Sequence, residues 1–170
     1  MILQKLKSKQ LFKECPDWLP DNTHYLVQIG SVAYGVSSND SDVDLLGFAI
    51  PRKDDVFPHL AGEIIGFGDP YKPFGTWQEH KIIDPDTQKE YDFTVHSIVK
   101  YFHLCMENNP NLIDSLFVPE RCISHITSIG QMVRDKRKMF LHKGCWPRFK
   151  NYAYRQMHKL EIKESHGKRK

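Results

Sequence analysis

The sequence predicts an α+β fold, a small β-sheet flanked by helices and followed by a basic helical segment. Three observations point that way. A hydrophobic run from His24 to Ile29 meets a Gly30-Ser31 turn and resumes, after a polar loop, as a second run from Val43 to Ile50. Residues Gln78 to Ile83 and Lys89 to Val95, split by Asp84-Pro85-Asp86-Thr87, carry the pattern of an antiparallel hairpin. The third is charge: residues 1–120 hold 10 Lys/Arg against 18 Asp/Glu, whereas residues 121–170 hold 14 against 3. The chain's net charge of +3 hides that division. An acidic part joined to a basic one suits a protein that holds metal with the first and polyphosphate or nucleic acid with the second; a solvated basic helix face is the plainer alternative.

In chain order, residues 2–14 read as a short amphipathic helix offering Leu3, Leu6, Leu11 and Phe12 to the core, ended by Pro16 and Pro20. The first strand leads into a short helix after Ser31 that Gly35 closes. Residues 37–41 make a polar loop able to reach a ligand, and Pro51 stops the second strand. A short helix at residues 53–57 precedes a long loop rich in proline and glycine. Its aromatics Phe67, Tyr71, Phe74 and Trp77 suit either base stacking or packing beneath the loop. A helix begins at His96-Ser97 and ends at Asn108-Asn109-Pro110, and residues 111–116 form another. Ser124 is placed to N-cap a longer helix through Ile126, Ile129, Met132 and Val133. Gly144 breaks that helix, Pro147 opens the last one at its first position, and Arg148 to Ile162 carry it. The resulting division is a core over 1–120, a basic helical segment over 121–163 and a disordered tail over 164–170.

At 170 residues the chain suits one domain with a real core, and 40% hydrophobic and 26% charged residues are ordinary for a soluble globular protein. No apolar run approaches the roughly 20 residues needed to span a bilayer, so a cytoplasmic protein without a membrane role is expected. Four scattered cysteines without C-x-x-C spacing argue against structural zinc and a disulfide framework; Cys105 and Cys122 read as buried thiols.

The chemistry concentrates in Gly30-Ser31 and Asp42-Val43-Asp44. On a strand, residues two apart project from one face, so Asp42 and Asp44 stand side by side while Val43 and Leu45 turn to the core. Adjacent carboxylates repel unless a cation sits between them. Mg²⁺ binds through one or two carboxylates plus substrate phosphates. Gly30 lets backbone approach a ligand, and N–H groups of a helix starting at Ser31 could hold a phosphate. Further on, residues 89–96 alternate, with Glu90, Asp92, Thr94 and His96 on one face and Tyr91, Phe93 and Val95 on the other.

These motifs resemble those of the DNA polymerase β superfamily of nucleotidyltransferases: a hydrophobic residue, Gly-Ser, about ten residues, then Asp-x-Asp between hydrophobics. The string GSVAYGVSSNDSDVDLLGF is similar to predicted nucleotidyltransferases of bacteria and their phages, some linked to RNA repair. The strings HSIVKYFHLCMENNPNLIDSLF and FLHKGCWPRFKNYAYRQMHKLE extend the resemblance over most of residues 24–160. It implies a nucleotidyltransferase-like mixed sheet and a third acid on a later strand, which Asp92 supplies with Glu90 as the fallback. It implies that Asp42, Asp44 and Asp92 are catalytic and hold two Mg²⁺ (or Mn²⁺) ions. It implies nucleotide binding at Gly30, Ser31, Tyr34, Ser41 and Lys100, with transfer of a nucleoside monophosphate from a nucleoside triphosphate to an acceptor hydroxyl. Arg137, Lys138, Lys143, Arg148 and Arg155 are the candidates for binding an RNA or DNA end. The same residues admit an enzyme of this fold that modifies a protein or small molecule, or a non-catalytic nucleotide-binding or antitoxin-like module. A nucleic-acid-binding protein with a fortuitous Asp-x-Asp is the remaining alternative.

Overall fold

The computed structural model describes residues 1–35, 42–62, 64 and 73–167. A first helix, α1 (Ile2–Ser8), precedes β1 (Thr23–Gln28). The Gly30-Ser31 turn opens α2 (Ser31–Tyr34), capped by Gly35 in the left-handed conformation. Then come β2 (Val43–Ala49), a single turn α3 (Lys53–Val56), and the hairpin β3 (Thr76–Ile83) and β4 (Glu90–Ser97). Helices α4 (Ile98–Met106) and α5 (Pro110–Phe117) are followed by β5 (Ile123–Ile126), α6 (Ser128–Asp135) and α7 (Cys145–Gly167). The strands form one mixed sheet in the order β3-β4-β2-β1-β5. Among the described residues only β2 and β4 pair in parallel, in register from Val43 opposite Tyr91 to Ala49 opposite Ser97.

The period-two alternation divides the core between the two faces of the sheet. Leu26, Val43, Leu45, Phe93 and Val95 pack against Leu3 and Leu6 of α1. Tyr25, Val27, Leu46 and Phe48 pack on the opposite face against Tyr101 of α4 and Leu112 and Leu116 of α5. Asp44 and Asp92 belong to this second face, and Val43 and Leu45 are buried as expected. The N-caps of the helices on this face are local: Ser97 accepts from Lys100 N at 3.2 Å and Asn109 from Asn111 N at 3.1 Å.

Several local expectations yield to tertiary contacts. The first helix ends at Ser8 rather than running to residue 14, and Gln10 takes a positive φ of 56°. Leu11 and Phe12 still reach the core, with Phe12 edge-on to Trp77 at 5.1 Å and to Phe93 at 5.4 Å. Each such aromatic contact is worth about 0.5–1.5 kcal/mol beyond its burial, more than the few tenths per residue separating ordinary helix formers. Trp77 is buried and Phe74 packs edge-on with Trp18 at 4.9 Å while still lining a surface hollow; Phe67 and Tyr71 lie outside the described residues. Ser124 and Ile126 are not helical but form β5, bonded to the edge of β1, and Thr127 rather than Ser124 caps the next helix. The last helix starts at Cys145, placing Pro147 within its first turn, where the missing N–H costs no helix bond. It runs to Gly167; residues 168–170 lie outside the described residues.

Candidate active site

The parallel pairing of β2 with β4 sets Asp44 directly opposite Asp92. Asp42 lies just before β2, and the side chains of the three acids converge: one carboxylate oxygen from each lies within 4.8 Å of the other two. Residues nearly fifty positions apart in the chain thus share one end of the sheet. An all-oxygen cluster of this size suits a hard divalent cation such as Mg²⁺ or Mn²⁺.

The Gly30 turn closes over this cluster. Ile29 N donates to Asp44 O at 3.0 Å, which holds the turn against β2. Gly30 has φ 67°, and a Cβ at that position would lie 2.7 Å from Asp44 Oδ2. The glycine is therefore needed twice, for its left-handed backbone and for the carboxylate seated against it. Ser31 opens α2 on the far side of this contact, and Tyr34 ends it. The Tyr34 hydroxyl donates to Asp114 Oδ2 on α5 at 2.7 Å, and that bond pushes the phenol pKa up to about 12.

Asp92 is held by two groups that strand alternation alone does not bring to it. The register between β3 and β4 shifts between Glu79 and Ile82, a bulge that inserts His80 and Lys81 opposite Asp92. Lys81 has φ 59°, and its backbone N–H donates to Asp92 Oδ1 at 2.8 Å. His80 Nδ1 lies 3.0 Å from Asp92 Oδ2. Both oxygens are thereby oriented before any ligand arrives. Neither the histidine nor the bulge has a local sequence signature, because the extra residue is defined only by the partner strand.

The electrostatics follow from the crowding. Partial burial raises the pKa of Asp44, and the neighbouring Asp42 and Asp92 raise it further, against an opposing pull from His80. Among the described residues, no lysine or arginine forms an ion pair with these three acids.

Nearly the whole chain, from residue 3 to residue 170, matches the family model described as RlaP, the RNA repair pathway DNA polymerase beta family. The chain belongs to that family. No curated protein and no solved structure matches it. Membership ties the chain to RNA repair and to the nucleotidyltransferases of the polymerase beta superfamily, and divalent metals are typical of such proteins.

Not every residue expected at the site in this RNA-repair family member is brought to it. Ser41 lies outside the described residues. Lys100 is on the first turn of α4, beyond Ser97, five positions past Asp92 on β4. At about 3.3 Å per strand residue, that is the opposite end of the sheet, where Lys100 lines an apolar hollow with Pro51, Phe57 and Val99. Of the five basic candidates, Arg137 is committed to the protein. Its guanidinium donates to Arg134 O at 2.7 Å and lies 5.1 Å from the centre of the Phe117 ring. Arg134 itself is buried, donating to Val118 O at 2.6 Å and to Leu116 O and the Tyr25 hydroxyl, each at 3.2 Å. Lys138 and Lys143 are exposed, and Arg148 and Arg155 share a cleft beside α5. Among the described residues, no helix is long and apolar enough to cross a membrane.

Proposed function

We propose that this protein is a metal-dependent nucleotidyltransferase that moves a nucleoside monophosphate from a nucleoside triphosphate to a hydroxyl at an RNA end, releasing pyrophosphate. The convergence of Asp42, Asp44 and Asp92 within 4.8 Å carries the reading. Family membership supports it independently. The donor set fits two Mg²⁺ or Mn²⁺ ions: three carboxylates, oxygen only, with Asp44 destabilised as an anion by its neighbours. Asp42, Asp44 and Asp92 would hold them. Bound there, such ions supply Lewis-acid stabilisation of charge on the entering and leaving oxygens and acidify the attacking hydroxyl.

The chain's own groups do the rest. The Gly30-Ser31 turn, pressed against Asp44, holds the β- and γ-phosphates and so orients the α-phosphorus for in-line attack. Asp92, fixed by Lys81 N–H and His80, is the carboxylate positioned to accept or orient the proton of the acceptor hydroxyl. A bond forms from the acceptor oxygen to the α-phosphorus while the bond from that phosphorus to the pyrophosphate oxygen breaks. Incubation with each labelled triphosphate, Mg²⁺ or Mn²⁺ and RNA with defined ends tests this. Label should move to RNA in a metal-dependent way, and Asp44→Ala should abolish it. Undiminished transfer by Asp44→Ala, or label on protein instead of RNA, would overturn the proposal.

A further inference from the structure

We infer that the cleft between α7 and the start of α5 is the seat of the RNA acceptor's phosphodiester backbone, a subsite separate from the one for the nucleoside triphosphate. This rests on the proposed transfer to an RNA end. The cleft has a volume of about 240 Å³ and is lined almost wholly by polar side chains. Four come from one face of α7: Arg148, Asn151, Tyr152 and Arg155, at the spacing of i, i+3, i+4 and i+7. Asn109 and Asn111 of the α5 cap form the opposite wall. The lining includes one acid, Glu107, whose carboxylate is 3.4 Å from His103 Nε2. Two permanent cations and one carboxylate thus line a slot otherwise made mostly of amides, a lining of net positive charge.

Position and spacing select the ligand. Tyr34, the last residue of the short helix that begins at Ser31, donates to Asp114 Oδ2 at 2.7 Å, and Asp114 is one turn beyond Asn111 on α5, the helix whose start lines the cleft. The cleft thus adjoins the turn over Asp44 without sharing a residue with it. Arg148 and Arg155 are seven residues apart, about 10.5 Å along the helix axis. That separation suits two separate phosphates of a strand better than one compact anion, and the guanidinium fork suits phosphate oxygens. Asn151 and Tyr152 between them offer hydrogen bonds and an aromatic ring to the intervening sugar and base. The net charge of residues 121–170, with 14 Lys/Arg against 3 Asp/Glu, draws a polyanion to this side.

The test measures binding of a fluorescent single-stranded RNA to the full chain in EDTA without nucleotide, across a salt series. Binding of a labelled nucleoside triphosphate with Mg²⁺ is measured separately. The double variant Arg148→Ala/Arg155→Ala should lose at least about tenfold in RNA affinity, and its slope of log K against log salt should shrink by about 1.4, two single-strand contacts. Its triphosphate binding should match wild type, and Arg148→Lys/Arg155→Lys should recover part of the RNA affinity. Lys138→Ala/Lys143→Ala, which removes the same charge outside the cleft, should cost much less. Equal losses in the two alanine pairs would overturn the inference in favour of diffuse attraction. Lost triphosphate binding with RNA binding intact would reassign the cleft to the nucleotide and also overturn it. Circular dichroism and thermal unfolding check that the exposed substitutions leave the fold in place. Because Asp44→Ala should keep wild-type RNA binding, failure of the transfer reaction is distinguishable from failure of the cleft.

Discussion

Two carboxylates of the hairpin and its neighbour, Asp84 and Asp44, receive opposite treatment. Asp84, in the β3–β4 turn, has a fully buried side chain with Lys5 Nζ 2.8 Å away and Lys9 beside it, and it accepts from Asp86 N and Thr87 Oγ1 as well. Hydrogen bonds from the two lysines hold its carboxyl well below the usual carboxylate range. The lysines come from α1 and the residue after it, so this cluster pins the N-terminus to the hairpin. Asp44 is partly buried too, yet its neighbours are Asp42 and Asp92, and its pKa moves up. The chain neutralises the acid that serves the fold with its own cations. At the same end of the sheet, near the starts of β2 and β4, it groups three acids, an arrangement that costs stability until an external cation balances it.

The largest effect should come from removing the repulsive member. Asp44→Asn should lower transfer by about 10³-fold or more while leaving the thermal midpoint equal or higher. A raised carboxyl pKa means that ionising Asp44 opposes folding as pH climbs through that pKa, and asparagine removes the penalty. Mg²⁺ titration followed by thermal unfolding sharpens the point, since the ion should raise the midpoint of wild type but not of this variant. A lower midpoint for Asp44→Asn would mean that the cluster is structural, like Asp84.

His80→Ala comes next. Freed of its orienting partner, Asp92 should lose about 10–100-fold in metal affinity or turnover, with His80→Gln recovering part of it. Kinetics measured against Mg²⁺ concentration separate this from a folding defect. Gly30→Ala should follow, destabilising by about 1–3 kcal/mol for a positive-φ backbone that side chains rarely adopt and displacing the Asp44 carboxylate, so transfer and denaturant midpoint fall together. The smallest effect on chemistry should be that of Asp84→Asn: transfer unchanged, stability reduced at neutral pH. The depressed carboxyl pKa in the folded state makes that contribution full above the ordinary unfolded value, about 3.9, and lost as pH falls through the folded one. The gap between wild type and variant should therefore close in acid, which unfolding curves across pH would reveal.

Much of the site could be read locally because strand alternation is a two-residue rule. Val43 and Leu45 facing the core forced Asp44 to the other face, and Phe93 and Val95 did the same for Asp92. The Gly30 turn was legible because a glycine at the end of an apolar run, with small residues after it, marks backbone that a side chain would obstruct. What failed was local pattern set against distant partners. Ser124 and Thr127 are both competent caps, and only the free edge of β1 decided that residues 123–126 would be a strand. Basic residues of the final third looked interchangeable in sequence, yet Arg134 is buried among carbonyls, Arg137 lies against Phe117, and Arg148 and Arg155 open to a cleft.

The sequence by itself determined which acids were available, which face of each strand they took, and where the backbone needed a glycine, since these depend on residues a few positions apart. Only the tertiary structure decided that Asp44 stands opposite Asp92, that a bulge delivers His80 to the third acid, and that α1 and the residue capping it supply the lysines for Asp84. Each is a pairing between segments far apart in the chain. Register, bulges and charge partners are properties of two strands or helices together, and neither member carries them alone.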